Sequence, residues 1–381
     1  MAPVSIGLLG VGQRGLQHLK ALWSSDDARI TALCDPYPQN LEPAKIRQYI
    51  DGFSLDGIRT YTRFDDMLAG GGMDALYVCI PPNRHQDEVV RAARNGLHIF
   101  AEKPVSLYLD EALEQEAAIR QAGVLSTVGF NQRHCVWHTA VRDFLAGKRL
   151  VMMTVVANGA LESHSVKHTH TEAEGGPANR VWAANMAWSG STVVEAGIHQ
   201  LDLMRYWGGD VDWVEARYVH RDPEDIVEGG DNPYAYSVTF GFANGTIGNM
   251  LMTRLRRTFY ADGYQDIVWD HGHVKTEADG PVAWFYDGPF PPPEKVERNR
   301  LRHVLEVPPR NDNTLAINQA FVQAVKDQTE EPLRNTFSTS MNSHAAVLGA
   351  NISDRLGGRR IDLNELLHAP QYAPYRRRPV A

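Results

Sequence analysis

The chain has 381 residues, too many for one ordinary hydrophobic core and too few for three, so two domains are expected. With 46 acidic against 38 basic side chains its formal charge is -8, which excludes a polyanion as the main partner, since nucleic-acid affinity rests on Lys and Arg facing phosphates. The basic run Arg376-Arg377-Arg378 is too short to reverse that balance and reads as a solvated terminus.

The opening stretch MAPVSIGLLG has neither the charged leader nor the cleavage site of a secretory signal, and no apolar run reaches the roughly 18 residues that a membrane span needs. Cys34, Cys79 and Cys135 are few and odd in number, and two fall inside apolar runs, so reduced thiols and a cytoplasmic location are expected. From residue 4 to about residue 130 the runs VSIGLLG, RITALCD, DALYVCIP, LHIFAE and VLSTVGF alternate with amphipathic stretches such as 106–122. Continuous apolar strands separated by helices imply a parallel sheet covered on both faces, and residues 1–130 are assigned to this doubly wound α/β pattern, a Rossmann domain.

Past VWHTAVRDFLAGKR the texture changes to alternating runs such as LVMMTVVANG, WVEARYVHR and YAYSVTFGFANGTIGNMLMTRL, with Asn244-Gly245 at a hairpin turn. Residues 131–381 are therefore expected to form an α+β domain with a large, mostly antiparallel sheet that binds substrate and carries the oligomer surface. DGPFPPPEKVE is too rich in proline for an interior strand and reads as a surface loop. Residues 313–326 and 338–356 are helical by spacing and can return to pack at the domain junction.

In GLLGVGQRG, Gly10, Gly12 and Gly15 follow a predicted strand and open a predicted helix, together with Gln13 and Arg14. The first glycine permits a tight turn, the second lets a pyrophosphate approach the backbone, and the third lets helix and strand pack closely; the helix N-terminus then offers free N–H groups to the phosphates. Asp35 closes the next strand, where a carboxylate can accept hydrogen bonds from an adenosine ribose. It would repel a 2′-phosphate, and no Arg or Lys follows it in DPYPQN, so NAD is expected rather than NADP.

Further on, VCIPPNRH (78–85), AEKPVSL (101–107) and EAGIHQLDLMRYWGG (195–209) occur in this order. With the glycine loop they resemble the Gfo/Idh/MocA family of nicotinamide-dependent sugar and cyclitol oxidoreductases, from the first residues to about Gly209. The resemblance implies cofactor contacts from Pro81, Asn83, His85, Glu102 and Lys103, a Lys103–Pro104 bond that is often cis in relatives, and catalysis by Lys103 and His199. Many relatives have an aspartate four residues before the histidine, where this chain has Glu195. Asp202 matches an acid three residues after it, and Asn131, Arg133 and His134 fall on a segment that faces the cleft in the family, so they are expected as substrate contacts.

The chemistry agrees with those residues. Oxidising a ring alcohol removes a hydride from carbon and a proton from oxygen, so the site needs a base in reach and a cation beside the developing alkoxide. His199 is expected as the base, Lys103 as the cation and Glu195 as the carboxylate orienting the histidine. If 195–206 is one α-helix, residues 195, 199 and 202 share a face. Asp202 is open between a substrate contact, an ion pair with Arg205 and a buried hydrogen bond.

A histidine on a helix is most often a satisfied core or surface residue; the E-K-P lysine and the dinucleotide loop reverse that balance for His199. In ESHSVKHTHTE, His164, His168 and His170 invite a metal reading, but the reaction needs none, so a solvated or substrate-facing loop is expected. Trp182 and Trp188 stay unassigned. Two other functions use the same parts. One is glycoside cleavage by transient oxidation and elimination, which the loop form GVGQRG with Arg14 brings in. The other is a non-catalytic NAD-binding regulator, against which the retention of both Lys103 and His199 speaks. A homo-oligomer, dimer or tetramer, is expected, with no nucleic-acid or membrane partner.

Overall fold

A computed structural model of the chain describes residues 2–160, 181–226, 229–255, 262–289, 291 and 293–379. Strands β1 (Val4–Leu9), β2 (Ala28–Cys34), β3 (Arg59–Tyr61), β4 (Ala75–Val78), β5 (His98–Ala101) and β6 (Ser126–Val128) form a wholly parallel sheet in the order β3-β2-β1-β4-β5-β6. The order reverses between β1 and β4, which opens a crevice at the carboxyl ends of those strands. Both faces are covered by helices, so the apolar runs need no alternation: every residue of β4 is buried.

The second sheet has nine strands: β7 (Leu150–Ala160), β8 (Val211–Val219), β9 (Ala235–Phe242), β10 (Ile247–Leu255), β11 (Asp262–Trp269), β12 (Gly272–Glu277), β13 (Gly280–Phe285), β14 (Arg302–Val304) and β15 (Ile361–Asp362). Their order is β14-β13-β12-β11-β7-β10-β9-β8-β15, antiparallel throughout except between β7 and β10. The expected fold, a Rossmann sheet followed by a large, mostly antiparallel one, is the observed fold. Here one face is covered and the strands alternate: in β8, Val214, Ala216 and Tyr218 are buried while Glu215 and Arg217 face out. Gly245, at φ 85°, turns the β9–β10 hairpin in a conformation that only glycine adopts freely.

Five helices matter for the site: α1 (Gln13–Trp23), α2 (Leu109–Ala122), α3 (Ile198–Gly208), α4 (Asn313–Asp327) and α5 (Phe337–Arg355). Helices α3 and α5 pack on the inner face of the large sheet, where a side chain built at Gly349 would stand 2.9 Å from Val214. Helix α4 instead crosses back to the first sheet. Asp312 starts it by accepting from the Thr314 and Leu315 N–H groups. It lies against α1 and inserts Ile317, Phe321, Val322 and Val325 into the core of the parallel sheet. The Phe321 ring meets both Tyr77 and Phe100 edge-on at 5.6 Å.

The basic C-terminal run corrects the sequence reading. Arg376 donates to Asp110 and to the Leu366 and Ala369 carbonyls, Arg377 to Asp110, and Arg378 to Glu111 and the His85 carbonyl. The arginines strap the chain end to the start of α2, where the acids Asp110 and Glu111 wait. The described residues of the proline-rich stretch form no strand. Among the described residues, no helix is long and apolar enough to cross a membrane.

His85, His134 and His344 are three of the buried histidines. Burial pushes His85 and His344 each down to about 4, and burial together with Arg334 and Arg133 pushes His134 to about 3. Below about pH 6.5 the unfolded chain takes up protons at these sites that the native state refuses. Stability is therefore fully present above pH 6.5 and falls as pH drops toward 4, by about 3 kcal/mol for each of His85 and His344. Urea denaturation between pH 7.5 and 4.5 should show this slope, and His344→Phe should flatten it by about one proton.

Candidate active site

The glycine loop sits at the crevice between β1 and β4. Gly10 has φ 91°, and a Cβ there would overlap the Cys79 carbonyl of the neighbouring strand end; a Cβ on Gly15 would overlap the Gly10 carbonyl. Both glycines are thus demanded by the protein itself. Gly12 is different. Its φ of -75° suits any residue, and a Cβ there would meet nothing within 4 Å. It caps α1 without a side-chain cap, and the space above it is the room a pyrophosphate needs at a helix N-terminus, so the loop fits a dinucleotide. Gln13 is exposed beside it.

Asp35 is buried at the end of β2 and works first on the protein. Its Oδ2 accepts the Val11 N–H at 2.8 Å, and Oδ1 accepts the Tyr37 N–H at 2.9 Å and the Asn40 amide at 3.0 Å. Three of its roughly four acceptor positions are occupied, so the expected ribose contact has one left. Lys45 reaches the Asn40 carbonyl oxygen, so a basic residue does stand near this acid, ten positions further on.

Glu102 and Arg14, both expected at the cofactor, meet each other. Arg14 Nε donates to Glu102 Oε1 at 2.8 Å, and its terminal nitrogen reaches Gln17 and, at 3.2 Å, Thr314 on α4. His18, absent from the sequence reading, bridges Glu102 Oε1 (2.7 Å) and the Asn318 amide on α4 (2.9 Å). Because Asn318 Nδ2 can only donate, His18 Nδ1 accepts and Nε2 carries the proton given to Glu102. Burial opposes the Glu102 charge, yet Arg14, His18 and Lys103 outweigh it and hold its carboxyl well below the usual range. Gly129 leaves the space the carboxylate fills. The signal in the sequence was spacing: Arg14 and His18 are four apart on a helix whose buried positions include Leu16, Leu19 and Leu22.

Lys103 follows, with a cis bond to Pro104, and points across to the second half of the molecule. Its ammonium donates to the Glu195 carbonyl at 2.6 Å and pairs with the Glu195 carboxylate at 3.3 Å. Glu195 lies on a π-helical turn, Val193–Gly197, ahead of α3, so residues 195–206 are not one α-helix and the single-face argument fails at its first member. His199 is half-buried, its ring edge-on to Phe130 at 6.3 Å between centroids. Its Nδ1 has no hydrogen-bond partner, so Glu195 is seen holding Lys103 and does not hold that nitrogen. Burial, then the nearby Lys103, pushes His199 well below its ordinary value, which keeps it neutral and able to accept a proton. The backbone entering the turn is strained at Ser191, φ 138°, and α5 holds it there: Asn351 donates to the Gly190 carbonyl and accepts from the Ser191 hydroxyl at 2.9 Å.

The remaining expected residues divide. Pro81 is exposed and Asn83 half-buried near the crevice, whereas His85 has no exposed surface for a ligand to touch, which corrects its assignment to the cofactor. Asn131 donates to Thr314 at 3.4 Å. Arg133 and Asp202 are removed as substrate contacts because they satisfy each other. Arg133 gives two hydrogen bonds to the Asp202 carboxylate, 2.7 and 2.8 Å, at a site where Asp202 is 1% exposed. Ser343 adds a third at 2.9 Å, and Arg205, the sequence alternative, stands 3.7 Å off. His164, His168 and His170 lie outside the described residues, as does the Trp182 side chain. Among the described residues no cluster of His, Cys, Asp and Glu could hold a metal.

Comparison with known proteins puts names beside this geometry. Residues 4–130 match the profile described as "Oxidoreductase family, NAD-binding Rossmann fold", and residues 152–275 match "GFO/IDH/MocA C-terminal domain". The "Uncharacterized oxidoreductase YrbE" of Bacillus subtilis is 30% identical over 63% of this chain, which spans only 64% of that relative's length. The "Myo-inositol 2-dehydrogenase" of Thermotoga maritima is 27% identical over 69% of this chain and 71% of its own. The crystal structure of the WlbA dehydrogenase from Bordetella pertussis with NADH and UDP-GlcNAcA superposes with a TM-score of 0.73 at 20% identity, covering 94% of this chain and 98% of that one.

Replacing one partner of the Arg133–Asp202 pair strands a buried charge. Asp202→Ala should cost about 3–5 kcal/mol in chemical denaturation. A pair built for substrate would instead leave stability within about 1 kcal/mol and raise KM.

Proposed function

The chain belongs to the Gfo/Idh/MocA oxidoreductase family, and from that membership we propose that it moves a hydride between NAD and a ring hydroxyl or ketone of a sugar, sugar derivative or cyclitol. The observation that carries the reading is the meeting of Lys103 with the π turn that precedes a half-buried, neutral His199. When bound, the nicotinamide supplies the hydride acceptor.

The chain's own residues handle the charge and the proton. The Lys103 ammonium, held by Glu195, stands as the donor that favours an alkoxide over an alcohol. His199 accepts the hydroxyl proton, and its depressed proton affinity keeps it ready at neutral pH. Residues 1–130 serve the cofactor and 131–381 the substrate. Asp35, fixed by backbone donors, supports NAD over NADP because it cannot swing away from a 2′-phosphate. The outer face of the large sheet exposes Ile247, Leu251, Leu255 and Tyr264, a surface suited to a second copy of the chain.

The test is absorbance at 340 nm with NAD and a panel of sugars, cyclitols and glycosides, with glycoside cleavage followed by chromatography. NADH should accumulate with one ring class, NADP should serve poorly, and His199→Ala should lower kcat by about 10²–10⁴-fold with NAD binding retained. Cleavage without net NADH would transfer the reading to transient oxidation. Tight NAD binding with silence in both assays would leave a regulator.

A further inference from the structure

Arg254 stands near the end of β10, and among the described residues no carboxylate forms an ion pair with it. Helix α3 runs antiparallel to β10 on the inner face of the large sheet: a side chain built at Gly248 would lie 3.2 Å from Met204, and one built at Gly197 would lie 3.0 and 3.2 Å from Met250 and Met252. Moving back along the helix is therefore moving forward along the strand, and the π turn before Gly197 comes over the strand beyond Met252. Side chains on one strand face recur every second residue, about 6.8 Å apart. The next inward residue is Arg254, at the level of Glu195 and the Lys103 ammonium it holds.

The place is made for a guanidinium. Opposite Arg254 in register on β7 is Gly159, where a Cβ would stand 3.4 Å from the Arg254 terminal nitrogen. Arg221 locks the strand end by donating to the Asn232 and Arg254 carbonyls while stacking on Tyr234 at 3.9 Å. The Arg254 side chain itself donates at 2.7 Å to the carbonyl of its own neighbour, Thr253, and among the described residues no carboxylate lies within ion-pair distance of it. Burial lowers its proton affinity while Tyr236 and Glu195 support its charge.

Charge bookkeeping at the site is then unequal. Among the described residues Glu102 is matched by Arg14 and Glu195 by Lys103, and Glu195 supports Arg254 only from beyond ion-pair distance, so Arg254 is a half-buried cation with no described acid paired to it. Such a cation gains most from a ligand that brings an anion and can accept the planar fork of the guanidinium. We propose that Arg254 selects substrates bearing an anionic group, carboxylate or phosphate, so that the chain acts on acidic sugars in preference to neutral rings. The inference rests on the substrate site proposed above and narrows it.

The experiment measures equilibrium binding to the NADH-bound protein by nicotinamide fluorescence, with D-glucuronate, D-galacturonate and glucose 6-phosphate against D-glucose, D-galactose and myo-inositol. At least one acidic sugar should bind tenfold or more tightly than its neutral counterpart, and the uronate and phosphate arms identify which anion fits. Arg254→Gln should erase that preference and leave the neutral sugars unchanged, while Arg254→Lys should restore part of it, separating charge recognition from loss of fold. Equal binding of matched acidic and neutral sugars, binding by none of them, or a preference that survives Arg254→Gln overturns the inference. Turnover is read separately as NADH formed from NAD. Arg254-dependent binding without turnover upholds the inference while sinking the dehydrogenase reading, and turnover confined to neutral rings does the reverse.

Discussion

The buried carboxylate of Glu102 is the point on which the site is assembled. A charge in that interior survives only if other groups come to it, and three elements do: α1 through Arg14 and His18, the E-K-P turn through the Lys103 N–H, and α4 through the Asn318 amide on His18. Helix α1 thereby offers its N-terminus to the crevice at a fixed angle. Lys103 leaves the same knot and crosses to Glu195, so one line of alternating charges runs from the glycine loop to the turn that precedes the histidine.

Desolvation acts in two directions along that line. It raises the cost of a charge on Glu102, and paired cations defeat it; it also raises the cost of a charge on His199, and the neighbouring Lys103 adds to it. Two groups a short way apart in one interior are thus driven to opposite states, an anion that positions and a neutral imidazole free to take a proton.

Much of this was legible from local pattern. The glycine spacing, the unbroken strands of the first sheet and the alternation of the second follow from rules that act over a few residues, and the helix expected at 313–326 is Asn313–Asp327. What escaped depends on partners far along the chain. Arg133 finds Asp202 across 69 residues and His18 finds Glu102 across 84, and no periodicity records which polar residue will be neutralised by which. The π turn escaped for another reason. Its extra residue per turn rotates Glu195 off the face that a 3.6 spacing assigns to it, and the strained Ser191 that begins it is held by Asn351 on a helix near the end of the chain.

The return of α4 to the first sheet has a consequence for how the protein is made. A ribosome that has released β6 has delivered all six strands of the parallel sheet, yet Tyr77 and Phe100 still face an open socket and His18 lacks its amide partner. Both are supplied only when Asn318 and Phe321 emerge, after the whole of the large sheet except β15 has been synthesised. Vectorial completion of the parallel sheet is therefore deferred: its core is closed by residues made long after its own strands.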